Sequence, residues 1–457
     1  MGSIGLFTTL QTSANSLAVV SQGLQLTEDN VANASTPGYS RQSLQVESQP
    51  LDITAGLPGG VLSAGTQSSD DPYADALVRT QQSGLGLATE QANDLGSLEP
   101  YFSLSSSSSI SSSLSEFFNS FSSLSITPND ATARQTVIND SSQLAQSFQQ
   151  TANGLVSQST SIRSAVGGTV TDINGLATHI ANLTAQGASG ATGTQNAGVS
   201  AQLNSDLEQL SQYAQVTVLQ QPNGSLNVYL NGRTPLVLGD QVSAISATST
   251  SGRTQILDST GRDITSDFNT GQLGGELQTV NTTIPGYLTQ LNTLAQTFAD
   301  QVNGALANGV DSTGAAPAQN LFSYDSAQGA ARTLSVTSIT PDQVAAASAG
   351  APGGNGNALA VAALAQAPLV AGATFDQAYG NLAANVGLDI SNAQAAQTTS
   401  QGLLTQAQSL QSQNSGVSLD QEAVNLIQYQ RSYEATSKLI NVVDQMLQSL
   451  IDMVPST

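Results

Sequence analysis

Histidine is the side chain whose unperturbed pKa lies closest to neutrality, and this chain has one, His179. A general base must reach a nucleophile, an acid or a metal. His179 instead lies in a helical repeat with Leu176, Ile180 and Leu183 and has no such companion nearby in sequence, so it reads as a surface or half-buried helix residue. Cysteine is absent, which removes thiolate catalysis, thiolate metal sites and disulfides. Asp258, Asp263 and Asp267 lie close together but miss the calcium-loop spacing and read as turn and cap residues. Gly354-Asn355-Gly356 leads into alanines rather than a phosphate-binding lysine, and no Gly-x-Ser-x-Gly elbow occurs. No catalytic, cofactor-binding or metal-binding residue is expected, and the chain does not read as an enzyme.

Charge narrows the choice of partner. Asp, Glu, Lys and Arg make up 9% of the 457 residues, against about 25% in an ordinary soluble domain. The net charge is −22, and Lys438 is the single lysine. Without a basic cluster, neither nucleic acid nor an anionic membrane surface is an expected partner. No run reaches the length of a membrane span, and the first positive side chain is Arg41, so no cleavable secretory signal is expected. The surfaces left are neutral Ser, Thr, Gln, Asn, Ala and Gly, which pack against copies of themselves with little charge to desolvate.

Periodicity then sets the elements. The first 34 residues lack proline and read as a helix with Leu10, Leu17, Leu24 and Val31 seven apart. Turns and short extended pieces follow to residue 72, where Asp70-Asp71-Pro72 announces a helix start. Helices are predicted over 73–98, 110–124, 130–185 and 199–213. At Val216 the period changes to two. Val216 and Val218, then Leu226, Val228 and Leu230, then Leu236 and Leu238 alternate across turns at 221–224 and 231–232, which predicts antiparallel hairpins to about 268. Helix returns over 273–306 with an interruption near Pro285. A strand is expected at 334–336, and loops at 311–319 and 349–357. Long helices close the chain over 375–415 and 418–453.

The last helix carries the strongest repeat: Leu419, Leu426, Tyr433, Ile440, Leu447 and Val454, with Tyr429, Val443 and Leu450 on the companion seam. Neither terminal helix can bury its seam alone, so the two are predicted to pair. The expected fold is mainly α with a small β insertion: paired terminal helices forming a coiled coil, an elongated helical-bundle core and an inserted antiparallel β domain. The corresponding boundaries are 1–55 with 418–457, 56–213 with 271–417, and 214–270.

Asn30-Val31-Ala32-Asn33-Ala34-Ser35-Thr36-Pro37-Gly38-Tyr39-Ser40-Arg41 combines cap-forming asparagines with a Pro-Gly pair suited to a type II turn. This stretch resembles the N-terminal motif of bacterial flagellar rod, hook and hook-associated proteins, and 415–433 is similar to the matching C-terminal motif. Asn30, Asn33, Thr36, Pro37, Gly38 and Tyr39 are its turn residues. About 140 residues of helix follow the first motif, which resembles the hook-associated protein 1 branch. So do the stretches 130–137 and 223–229. One departure is Leu203-Asn204, where many members carry an Arg-Asp pair. The resemblance implies a structural protein, exported through the flagellar type III route to the cell exterior. It would form a layer of identical subunits between the hook protein and a second junction protein, with an export chaperone for its last helix. A hook or distal-rod protein and a secreted coiled-coil adhesin stand as alternatives.

Overall fold

The computed structural model of the chain describes residues 2–52, 57–104, 106, 108–189, 197–221, 225–250 and 252–452. The first helix, α1 (Gly2–Ala32), is followed by a hairpin of β1 (Gln42–Asp52) and β2 (Leu57–Ser68). Asp71 then caps α2 (Pro72–Gly96), its carboxylate accepting from the amides of Tyr73 and Ala74, with Pro72 in the first turn. Ser109 caps α3 (Ile110–Ile126) in the same way. Beyond it lie α4 (Ala131–Ser189) and α5 (Ala197–Tyr213).

Six strands come next: β3 (Val216–Gln220), β4 (Leu226–Leu230), β5 (Thr234–Leu238), β6 (Gln241–Val242), β7 (Ser246–Thr250) and β8 (Arg253–Leu257). The first four form one antiparallel sheet in sequence order, and β7–β8 is a separate hairpin. The helices resume with α6 (Gly271–Gln278) and α7 (Ile284–Ala307), joined by a π-helical turn at Thr279–Thr283. The interruption expected at Pro285 is thus a widening rather than a break. Proline has no N–H to donate and its ring crowds the preceding turn, and the wider turn relieves both.

Short strands β9 (Gly309–Val310), β10 (Phe322–Ser323), β11 (Ser335–Val336) and β12 (Ala347–Ser348) follow, with short helices α8 (Ala330–Thr333) and α9 (Gly356–Ala363) among them. The strand expected at 334–336 is β11, paired with β10. Two long helices end the described chain, α10 (Phe375–Ser415) and α11 (Leu419–Asp452).

α4 is the spine. Its 59 residues give a rod of about 90 Å at 1.5 Å per residue. Its first half joins α3, α7, α9 and α10 in one buried cluster centred on Phe298, whose ring lies 5.0 Å from Phe117, 5.3 Å from Phe322 and 5.4 Å from Phe375. Buried serines let α3 and α4 approach closely, Ser113 and Ser147 bonding at 2.9 Å. Arg134, 2% exposed, ties the start of α4 to loops by donating to the carbonyls of Pro128 and Val344. The second half of α4 shares a different cluster, in which Val166, Ile173 and Ile180 pack with Leu210 of α5, Leu273 of α6 and Val228, Leu230 and Leu236 of the sheet. The strands therefore have their buried side chains in common with three helices.

Four helix asparagines perform one job. Each side-chain amide donates to the carbonyl and accepts from the N–H of a single distant residue, at 2.8–3.0 Å. Asn30 clasps Gln42, Asn174 clasps Ile245, Asn281 clasps Thr254 and Asn303 clasps Phe322. Each pair satisfies backbone groups that no ladder reaches, at about 0.5–1.5 kcal/mol per bond.

Candidate assembly surface

The family turn stands at the crossing of three elements. Asn30 is 1% exposed, and its Oδ1 accepts from the Tyr39 hydroxyl at 2.9 Å as well as from the Gln42 amide. Burial, then the carboxylates Asp29 and Glu422, push the Tyr39 hydroxyl above its ordinary pKa, keeping it a donor. Asn33 donates to the Asp29 carbonyl and accepts from the Thr36 hydroxyl. Thr36-Pro37-Gly38-Tyr39 closes with the Tyr39 amide on the Thr36 carbonyl at 3.2 Å, and Gly38 has φ +72°, as a type II turn requires. Gly38 is doubly constrained, since a Cβ there would lie 2.3 Å from the Ala201 carbonyl oxygen of α5. Asn204 donates to the Gly38 carbonyl at 3.4 Å, so the departure at Leu203-Asn204 still meets the turn through a side chain.

From the turn, the chain is tied to the start of the last helix. Arg41 Nε lies 2.7 Å from Glu422 Oε1, and the Glu422 side chain is 1% exposed. The Arg41 amide donates to the Ser415 carbonyl at 2.9 Å, and the Arg41 carbonyl accepts from Ser69. Two residues on, the Asp71 amide donates to Ser415 Oγ, and Asp71 Oδ2 accepts from Asn414 at 2.7 Å. Both places where the chain crosses from the terminal helices into the body thus dock on 414–422.

Beyond this knot α1 and α11 run side by side. Gly23 makes the room: a Cβ there would sit 2.6 Å from the ring of Tyr429. Val19 and Val443 are buried, at 8% and 3% exposure. α1 also carries the β1–β2 hairpin, where Gly60, at φ +99°, lies over Thr12. The hairpin is much longer than the short extended pieces expected over 35–72. Val46 and Leu62 are exposed, and the half-buried positions that alternate along β2 include Ser63 and Gly65, so no apolar stripe marks that strand in the sequence.

The residues expected in the seam divide between centre and edge. Leu10, Leu17 and Leu24 of α1 and Leu426, Ile440 and Leu447 of α11 are half-buried, whereas Val31, Leu419 and Tyr433 are exposed. Val454 lies outside the described residues. The buried line of α11 runs through Glu422 and Val443 with Tyr429 between them, the companion seam in the sequence. Much of the apolar side of α11 is left uncovered by the described residues, for Val424, Ile427, Leu439, Val442 and Met446 are 45–59% exposed. Single exposed hydrophobics are ordinary, but a row along one helix marks a surface that other molecules cover.

The residues considered for chemistry stand apart from this surface. His179 is half exposed on α4, with Nδ1 2.5 Å from Asp206 Oδ2. Asp258 and Asp263 accept from the amides and hydroxyls of Thr260 and Thr265, turn hydrogen bonds that hold both carboxyls below the usual carboxylate range. Asp267 accepts from Thr234 at 2.8 Å. Among the described residues no group of three or more His, Cys, Asp or Glu could hold a metal ion, and no helix is long and apolar enough to cross a membrane.

The family model described as the flagellar hook-associated protein FlgK helical domain matches residues 95–322, and that of the flagellar basal body rod FlgEFG protein C-terminal matches 408–453. The chain is 24% identical to flagellar hook-associated protein 1 of Bacillus subtilis, over 98% of each chain. It is 29% identical to flagellar hook-associated protein 1 of Salmonella typhimurium, over 70% of this chain and 61% of that protein. The fold is similar to that of the flagellar hook junction protein FlgK from Burkholderia pseudomallei, with a TM-score of 0.68 over 74% of this chain and 99% of that one, at 16% identity.

Proposed function

We infer that this chain, which belongs to the flagellar hook-associated protein 1 family, is a structural component of the bacterial flagellum at the junction of hook and filament and assembles there through its paired ends. The single observation that carries the use of the ends is the exposed apolar row on α11, next to a helix pair that buries only its central line. Its relatives are structural flagellar proteins, and the same reading is given to this chain: it acts by holding neighbours in place.

The finer picture follows from that surface. Copies of the chain stand in a layer with α1 and α11 innermost, covering one another's Val424, Val442 and Met446 faces. The terminal unit extends past residue 55 to include both strands of the β1–β2 hairpin, which lie along α1. The hook protein lies on one side of the layer and a second junction protein on the other. Neutral polar surfaces, with 9% charged residues, suit such close self-packing. Before assembly the same apolar row requires cover, which an export chaperone supplies, and the chain leaves the cell by the flagellar type III route. A hook or distal-rod protein is the less favoured alternative, because the match over 95–322 is to a hook-associated helical domain.

A strain lacking the gene tests this. It should build hooks and release flagellin into the medium, and the full chain should restore filaments. Normal filaments without the gene would refute the assignment.

A further inference from the structure

α2 and α6 pack closely at Gly275, where a Cβ would sit 3.0 Å from Glu90 Cβ and 3.1 Å from the Leu87 carbonyl oxygen. Three carboxyl groups collect at this contact: Glu90 and Asp94 from α2 and Glu276 from α6. Glu276 is 0% exposed and Asp94 6%. Glu276 Oε1 accepts from Thr169 Oγ1 of α4 at 2.7 Å and from Gln272 at 3.1 Å. Its other oxygen, and Asp94 Oδ2, are buried without a hydrogen-bond partner among the described residues. The charged groups acting on the pair are all acidic, Glu90 and Glu276 on Asp94 and Glu90 on Glu276, while the neutral hydroxyls of Thr169 and Thr279 face them from α4 and the π-helical turn. Among the described residues no arginine or lysine offsets them.

An isolated carboxylate is expensive to hold out of water, whereas a carboxylic acid is not. Burial first, and the neighbouring acids second, push Asp94 up to about 8. Burial, against the hydrogen bonds of Thr169 and Gln272, pushes Glu276 up to about 7. We propose that Asp94 and Glu276 form a proton-operated latch, whose two carboxyl protons hold α2 on α6 and whose loss in alkaline conditions releases that joint. The release spreads along the chain. Thr279, hydrogen-bonded to Asp94, begins the π-helical turn, and Asn281 in that turn clasps Thr254 of the β7–β8 hairpin. The phenylalanine cluster takes in Ala92, Leu95 and Val280 beside the latch, while its centre around Phe298, on α3 and α7, stays closed.

Both folded-state values lie above those of the unfolded chain. The contribution of the pair is therefore complete below about pH 4 and is lost progressively as pH rises to about 8, where ionisation in the folded protein catches up. Hydrogen exchange of the purified full chain at about pH 6 and about pH 9, corrected for the intrinsic rate, reads this directly. Protection over 84–98 and 271–283 should fall at least about tenfold at the higher pH, more than over α3 and α7. The Asp94→Asn, Glu276→Gln double variant should lose that pH dependence. An identical pH profile in the variant and the wild type overturns the latch. Should the variant fail to fold, infrared spectra of the wild type decide. A protonated-carboxyl band that disappears between the two pH values supports the latch, and no such band refutes it.

Discussion

Gly23 and Tyr429 meet where the two ends of the chain pack together, and a Cβ on Gly23 would lie 2.6 Å from two ring carbons of Tyr429. The ring occupies the space a side chain would need, so α1 and α11 approach at a position where α1 offers only backbone.

Gly23→Ala should therefore push the ring aside and weaken the pair, by about 1–3 kcal/mol as for other overpacked contacts. Tyr429→Ala removes the obstruction, so the two changes should be non-additive by about 1 kcal/mol or more. Hydrogen exchange over α1 measures both. The terminal pair should also exchange before the phenylalanine core, because Val19 and Val443 are the only fully buried apolar side chains described in it. Additive effects would mean that the ring and the glycine do not oppose each other.

Glu422 is the second hold on the ends. Its carboxylate is 1% exposed and meets Arg41 at 2.7 Å, while Arg41 itself is a third exposed. Arg41→Ala would leave that buried charge without its partner and should cost about 1–3 kcal/mol at the joint. The bundle around Phe298 should melt unchanged. Small-angle scattering should show a broader range of shapes as the terminal pair swings on the body, and scattering identical to wild type would show that the backbone bonds to Ser415 suffice alone.

Phe298 tests the body. Its ring packs on Phe117, Phe118, Phe148, Phe322 and Phe375, drawn from α3, α4, β10 and α10. Phe298→Ala should lower unfolding stability in urea by about 3–5 kcal/mol. A loss below about 1 kcal/mol would place the mechanical centre of the body elsewhere.

Much of this was legible where burial leaves a period. α4, α10 and α11 follow from their repeats, and the turn at Pro37-Gly38 from the φ that glycine supplies. The strict seven-residue line lies beside the buried centre of the seam rather than on it. Leu419 and Tyr433 hold the strict seven-residue spacing yet are exposed, while Val443 on the companion line is buried. Two apolar stripes on one helix face look equivalent in sequence, and only the partner's shape, here Gly23, selects between them. The asparagine clasps left no trace either, since Asn174 and Asn281 act on backbone far along the chain. Asp94 and Glu276 were equally silent, because a buried acid differs from a solvated one only in its surroundings.

Whether the paired ends are the assembly element is decided by one paired measurement on Val443→Asp: melting of the purified protein, and filament retention in cells carrying it. Val443 is 3% exposed in the α1–α11 pair, so a carboxylate there is excluded from the packed pair. Ile440→Asp, at the half-buried edge, should act in the same direction, and Gln448→Asp, on the exposed side, should do little. Val443→Asp should melt like wild type in its core while the cells keep hooks, lose filaments and release flagellin. Cells that swim normally on full filaments would contradict it.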